Sequence, residues 1–366
     1  MEHGVVGRQR ASRLALGVAA TLAAGAWLTG VASPAGAEPA WCLPSGPLDA
    51  TDLPSTVAPD VCSLVGRYVR SGDLQVQVPS EGSNGVFATS ALSGAVTSLV
   101  VSVLPDGSVG INPPTSTQAS LNPVVDADLY TAPLGGSDDN ANGAALDVPD
   151  ASLTAASVSG SPNKCTDHAV AYNAGYPRWA IIPTWYYNTA GQPTNYPSSS
   201  FVSSTGAAST NMSRGDNSCG FAADPKIYAR YGGGTTTATQ ITVSSNNTVC
   251  GTQDTRSVVG WGALGNGYIG ATCAHWDASY RFTAADIKIA NTVAWSVGSL
   301  SGCLNRWDHE SVVTHEFGHW FGLQHVAEAT HGNLVMSPQI NGTCQANERN
   351  LGYGDLYGML ALYGKN

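Results

Sequence analysis

His315-Glu316-Phe317-Gly318-His319-Trp320-Phe321-Gly322-Leu323-Gln324-His325 is the stretch on which the reading of this chain turns. His315 and His319 are four residues apart, so on a helix their rings leave one face, one turn apart. That spacing lets two ring nitrogens reach one zinc ion at about 2.0–2.1 Å each. Glu316 sits about 100° round the helix from the first histidine. It is off the ligand line but within reach of a water on the ion. Gly322 falls where the helix must stop, and glycine tolerates the left-handed backbone that ends helices. The chain can then turn back and offer His325 as a third ligand. Three protein ligands leave one position open, the arrangement of a catalytic rather than a structural zinc.

The helix carrying the motif is expected over 308–322. Asp308 is a good N-cap residue and Glu310 adds negative charge to the first turn. Val312, Val313, Phe317, Trp320 and Phe321 supply an apolar surface for burial.

The chain has 366 residues, enough for two domains, with 11% charged and 43% hydrophobic residues and 42 glycines. That profile suits a Gly-rich, β-containing exported protein and excludes a disordered one. The formal net charge of −10 disfavours nucleic acid or an anionic membrane as partner. Residues 1–37 read as a secretory signal peptide: Arg8, Arg10 and Arg13, an apolar run from Leu14 to Val31, and the small-residue site Ala35-Gly36-Ala37. The alternative, an uncleaved anchor, is disfavoured by the glycines and Pro34 in that stretch. A secreted location follows, with no membrane contact after signal removal. All eight cysteines lie beyond residue 37, and an even count in an exported chain argues for disulfides. Cys42 with Cys62, and Cys303 with Cys344 across the active-site segment, are the pairs singled out.

Residues 38–112 read as a small β-rich region: Leu74, Val76 and Val78 alternate with Gln75 and Gln77, and Pro105-Asp106-Gly107 is a turn between two Val-rich runs. Residues 113–160, rich in Pro, Ser, Ala, Gly, Asn and Asp, read as a flexible linker. Residues 161–366 read as the catalytic domain. A strand and its flank are expected over 178–182 and 184–188, and strands at 240–243, 256–261, 268–273 and 286–290, the pair 256–261 and 268–273 forming a hairpin about Asn266-Gly267. A helix at 198–213 has poor propensity, and a last helix spans roughly 350–363. Gly260-Trp261-Gly262-Ala263-Leu264-Gly265 matches the dinucleotide fingerprint but runs into a turn and a strand rather than a helix, so it is declined.

Eleven residues after His325 stands Met336, in Leu334-Val335-Met336-Ser337-Pro338. With the zinc motif, this stretch resembles the matrixin-type metalloproteases of the metzincin clan, which carry a methionine turn beneath the zinc. Leu351 to Gly364 is similar to the matrixin ending D-x-x-G-x-x-x-L-Y-G. The resemblance covers about 175–366 and says nothing of 38–160. It implies an α+β zincin catalytic domain: a twisted, mostly parallel sheet with an antiparallel edge strand, an active-site helix and a C-terminal helix. It implies one catalytic Zn²⁺ on His315, His319 and His325, Glu316 as general base and Met336 as an apolar floor. It implies protein or peptide substrates, cut by a monomer. Tyr268, Ile269, Gly270 and Ala271 would pair with an extended substrate along the exposed edge, and Pro338 would open one wall of the pocket beyond the cut. The Ca²⁺ loops of the family are not recognisable, and calcium is left open. The Pro-Arg-Cys-Gly latency motif is absent; Ser218-Cys219-Gly220 is a faint echo whose cysteine is expected in a disulfide. His275 and Asp277 are taken as ordinary surface or hairpin residues. The competing class is a secreted binding or wall-associated protein with a relic zinc site. Residues 38–160 are either a removable pro-segment or a retained domain.

Overall fold

The computed structural model describes residues 39–43, 45–79, 83–91, 98–104, 106–112, 160–170, 177–222 and 224–366, with only the backbone placed for 83–91, 98 and 112. The expected signal peptide, 1–37, and all but the last residue of the expected linker, 113–160, lie outside the described residues. The N-terminal part contributes β1 (Leu48–Asp49), β2 (Thr56–Val57), β3 (Tyr68–Ser71), β4 (Leu74–Gln77), β5 (Ser83–Ala91), β6 (Ser98–Val103) and β7 (Val109–Asn112). There follow β8 (Thr184–Tyr187), α1 (Ser198–Arg214), β9 (Arg230–Gly234), β10 (Ile241–Ser244), β11 (Asn247–Cys250), β12 (Ser257–Gly262), β13 (Tyr268–Asp277) and β14 (Phe282–Ala290). The chain closes with α2 (His309–Phe321), the single turn α3 (Glu328–His331) and α4 (Tyr353–Tyr363).

The larger sheet runs β2-β7-β6-β5-β13-β14-β12-β8-β9. From β14 to β9 its strands are parallel; β13 is antiparallel to β14, and β5, β6, β7 and β2 continue antiparallel beyond it. The α+β content agrees with a metzincin-like fold, but two expectations are corrected. The sheet is not mostly parallel over its whole width. Nor is β13 an edge: β5 pairs with it from Ser83 opposite Asp277 to Ala91 opposite Tyr268. The expected hairpin is also absent, because β14 inserts between β12 and β13. Ala285, Ile287 and Ile289 of β14 are buried, and a strand so apolar takes an interior place in a covered sheet. Asn266 and Gly267 still make a tight turn, with φ of 49° and 78°.

The expected β-rich region carries β1 to β7, and part of it pairs with strands from later in the chain. β4 pairs with β11 in a second sheet, β1-β3-β4-β11-β10. One apolar core joins Leu74, Val76, Leu99, Val101 and Ile111 to Ile241, Cys250, Tyr268, Ala271 and Cys273. Alternation along β13 explains how both layers form. Ala271 and Cys273 face this core, while Ala274 and Trp276 face the helices and a second core built on α1, α2 and α4.

Helix α1 forms despite its serines and threonines because Phe201, Ala208 and Met212 are buried in that second core. It ends at Gly215 in the left-handed conformation. Of the expected strand and its flank, the strand is β8 and the flank is 178–182, where Arg178 makes one bridge to Arg281 and Ile181 and Ile182 are exposed. Four disulfides join Cys42–Cys62, Cys165–Cys219, Cys250–Cys273 and Cys303–Cys344. Both pairs singled out from the sequence are among them. Among the described residues no helix is long and apolar enough to cross a membrane.

Candidate metal centre

Helix α2 starts where the sequence places it. Asp308 accepts the backbone N–H of Ser311 (3.0 Å) and is gripped on both oxygens by Arg349, at 2.8 Å from Nε and 2.6 Å from Nη2. This fork of two charge-assisted bonds ties the segment after the methionine turn to the head of the helix. Gly322 ends the helix at φ 108°, its N–H bonding the carbonyl of His319. The reversal brings His325 round beside the other two histidines.

The three rings converge. Nε2 of His315 lies 3.0 Å from Nε2 of His319 and 3.2 Å from Nε2 of His325, and the last two are 3.0 Å apart. Three nitrogens about 2.05 Å from a tetrahedral ion would sit about 3.3 Å apart. Nδ1 of His315 donates to the carbonyl of Val335 (2.6 Å), and Nδ1 of His319 donates to that of Leu323 (2.9 Å). A carbonyl accepts only, so both protons sit on Nδ1 and both Nε2 atoms present lone pairs. Lone pairs facing at this distance repel unless a cation lies among them, so the donor set fits a zinc ion. Burial also pushes the His315 imidazole down to about 4, against the opposing Val335 carbonyl. His319 is lowered well below the usual range by burial and then by His315. Neutral imidazole is the ligating form.

Met336 is fully buried under the site. A Cβ on Gly318 would meet its Sδ at 2.2 Å, so this helical glycine lets the methionine press against α2. The methionine turn is in turn held by Asp355 of α4. Its carboxylate accepts the N–H of Val335 (2.9 Å), Met336 (3.1 Å) and Gly352 (2.9 Å). Burial raises that carboxyl to about 6 in spite of the three donors. Asp355 thus orients His315 at one remove, through the Val335 carbonyl. The sequence reading quoted Asp355 as part of the ending motif without assigning it this role.

Glu316 is buried on the same helix. Oγ1 of Thr272 lies 2.5 Å from its Oε2, a contact the sequence reading missed because the partner sits on another element. Tyr268, Ile269, Gly270 and Ala271 are all buried in β13, and Pro338 is buried beside the methionine turn. Of these, Gly270 touches the catalytic constellation. The four β13 residues lie in an interior strand rather than on an open edge. Of the two places expected for His275, the structure gives the hairpin: it lies in β13 opposite Ala284 of β14, and it is buried, its Nε2 3.4 Å from Cys273 Sγ. Asp277 closes the following turn by accepting the N–H of Ser279 and Arg281. The Cys303–Cys344 bridge joins the approach to α2 to the loop after the methionine turn.

Three converging imidazoles beside a buried carboxylate can, as a class, hold a metal ion with a carboxylate close by. Residues 261–364, from the end of β12 to just past α4, match the matrixin family profile. That match supports a matrixin-like metalloprotease and implies a catalytic zinc, for which the His315, His319 and His325 group is suited. No curated protein matches the chain.

Proposed function

We propose that this chain is a secreted zinc-dependent endopeptidase with His315, His319 and His325 as metal ligands and Glu316 as general base. The observation that carries the reading is an intact carboxylate held at hydrogen-bond distance by Thr272 beside three inward-facing imidazole nitrogens. A relic binding site would need the nitrogens but not the base. When bound, zinc polarises a scissile carbonyl and lowers the pKa of a bound water. Glu316 accepts the proton of the attacking water on its carboxylate and passes it to the leaving amine. His315 and His319 stay neutral and do not compete for that proton. Met336 and Asp355 keep the floor dry and fixed.

In a matrixin-like enzyme an extended substrate would add to β13. Here β5 fills that place, so residues 38–112 act as an internal occupant of the substrate seat. The disulfide map suits release: Cys42–Cys62 closes within the N-terminal region, and the other three bridges close within residues 165–344. No bridge fastens the occupant to the catalytic part.

The test compares the active processed chain, the same chain treated with a chelator, and a Glu316→Ala chain begun at the same residue, on casein, with zinc measured in each. The expected result is one zinc per chain in the variant with nearly all turnover gone. Casein cleavage by Glu316→Ala at the parent rate would refute the mechanism.

A further inference from the structure

We infer that Thr272 and Gly270 of β13 are positioning residues for the Glu316 carboxylate, an inference that rests on reading Glu316 as the base. The two residues are two apart on one strand, so their positions share one face, the face turned to α2. Oγ1 of Thr272 is 2.5 Å from Oε2 of Glu316 and 3.1 Å from the backbone oxygen of the same residue. One hydroxyl therefore spans the side chain and main chain of Glu316, and it donates to the carboxylate oxygen. A hydrogen bond to an ionised group is shorter and stronger than a neutral one. Threonine suits this task better than serine, because its branched Cβ restricts the angle that aims the hydroxyl.

Gly270 does the complementary work. A Cβ placed there would lie 2.4 Å from Oε1 of Glu316, 2.9 Å from Cδ and 3.0 Å from Cγ. The carboxylate fills the space the missing side chain leaves. One oxygen is held by the hydroxyl and the other is lodged against bare backbone, so the carboxylate plane is set by β13 rather than by α2 alone. A glutamate has several rotatable bonds, and a base displaced by about 1 Å from its working position can lose about 100-fold in rate. The same strand is the one a substrate would pair with, so a single element aligns both the base and the bond to be cut.

The experiment uses the zinc-loaded active processed chain and a peptide that the parent releases from casein. Thr272→Val keeps the shape and removes the hydroxyl. It is expected to retain one zinc per chain, to hold KM within about twofold and to lower kcat by about 10- to 100-fold. Thr272→Ser restores the hydroxyl and is expected to return kcat to within about threefold of the parent. Crystal structures of Thr272→Val and Gly270→Ala are expected to show the Glu316 carboxylate moved from its present place. A kcat for Thr272→Val within twofold of the parent overturns the inference. So does Thr272→Ser as impaired as Thr272→Val, which would leave only methyl packing. If Thr272→Val fails to fold, Gly270→Ala decides: an unmoved carboxylate and parental kcat overturn the inference. Glu316→Gln separates this from the base reading. Parental turnover in Glu316→Gln would sink the base while leaving the carboxylate positions in the crystal structures to judge the positioning.

Discussion

Replacing Asp355 is the sharpest probe of how α4 supports the metal centre from behind. Asp355→Ala leaves three buried N–H groups, those of Val335, Met336 and Gly352, without their acceptor. Each orphaned donor costs about 1–3 kcal/mol. Against this, the substitution removes a carboxylate that burial disfavours. Its pKa of about 6, against an ordinary 3.8, corresponds to about 3 kcal/mol at neutral pH. The net expectation is a loss of about 3 kcal/mol at pH 7, within a range of about 0–6 kcal/mol. Asp355→Asn keeps one acceptor and no charge, and should lose about 1 kcal/mol. Because the folded carboxyl binds its proton more tightly than the unfolded one, the parent gains on the Asn variant as pH falls from about 6 to about 4. That gain is up to about 3 kcal/mol and is lost again as pH rises through about 6. The loosened turn no longer fixes the Val335 carbonyl under Nδ1 of His315, so zinc affinity of the Ala variant should fall about 10- to 100-fold. Denaturant unfolding at pH 4.5 and 7, with zinc competition against a chromophoric chelator, reads both. An Ala variant within about 0.5 kcal/mol of the parent with parental zinc affinity would refute the support argued for α4.

Glu348→Gln tests a second buried acid. Burial raises the Glu348 carboxyl to about 7, and its Oε2 has no hydrogen-bond partner among the described residues. The parent should therefore lose stability relative to the Gln variant as pH rises from about 4.5 to about 7, by about 3 kcal/mol in all; parallel pH profiles in unfolding experiments would count against it. The β5–β13 pairing predicts that the chain beginning at Glu38 cleaves casein at less than about a tenth of the rate of the active processed form. N-terminal sequencing of that form should place its start in 113–160, and equal rates with a start at Glu38 would show that β5 does not obstruct substrate.

The metal centre was legible because it is almost local. His315, Glu316, His319, Gly322 and His325 lie within eleven residues, and helical geometry plus one left-handed glycine brings the rings together whatever surrounds them. The cap at Asp308 was legible for the same reason, and Met336 only through the resemblance to matrixins. Thr272, Gly270 and Asp355 were not, since their roles depend on β13 and α4 crossing or buttressing α2 from more than fifteen residues away in sequence. Alternating apolar residues showed that β12, β13 and β14 are strands but carried no information on their order. Pairing is chosen by which strand buries both faces best, and β14 took the middle.

By itself, then, the sequence brought out His315, His319 and His325 as candidate zinc ligands, Glu316 as candidate base and the helix that carries them, all consequences of short-range backbone periodicity; Met336 as a floor came from the resemblance to matrixins. Only the tertiary structure decided that residues 38–112 share a core with the catalytic part and that β5 lies along β13. Strand pairing is a contest among hydrogen-bonding edges far apart in the chain. Its outcome depends on which edge remains uncovered after every other apolar face has been buried.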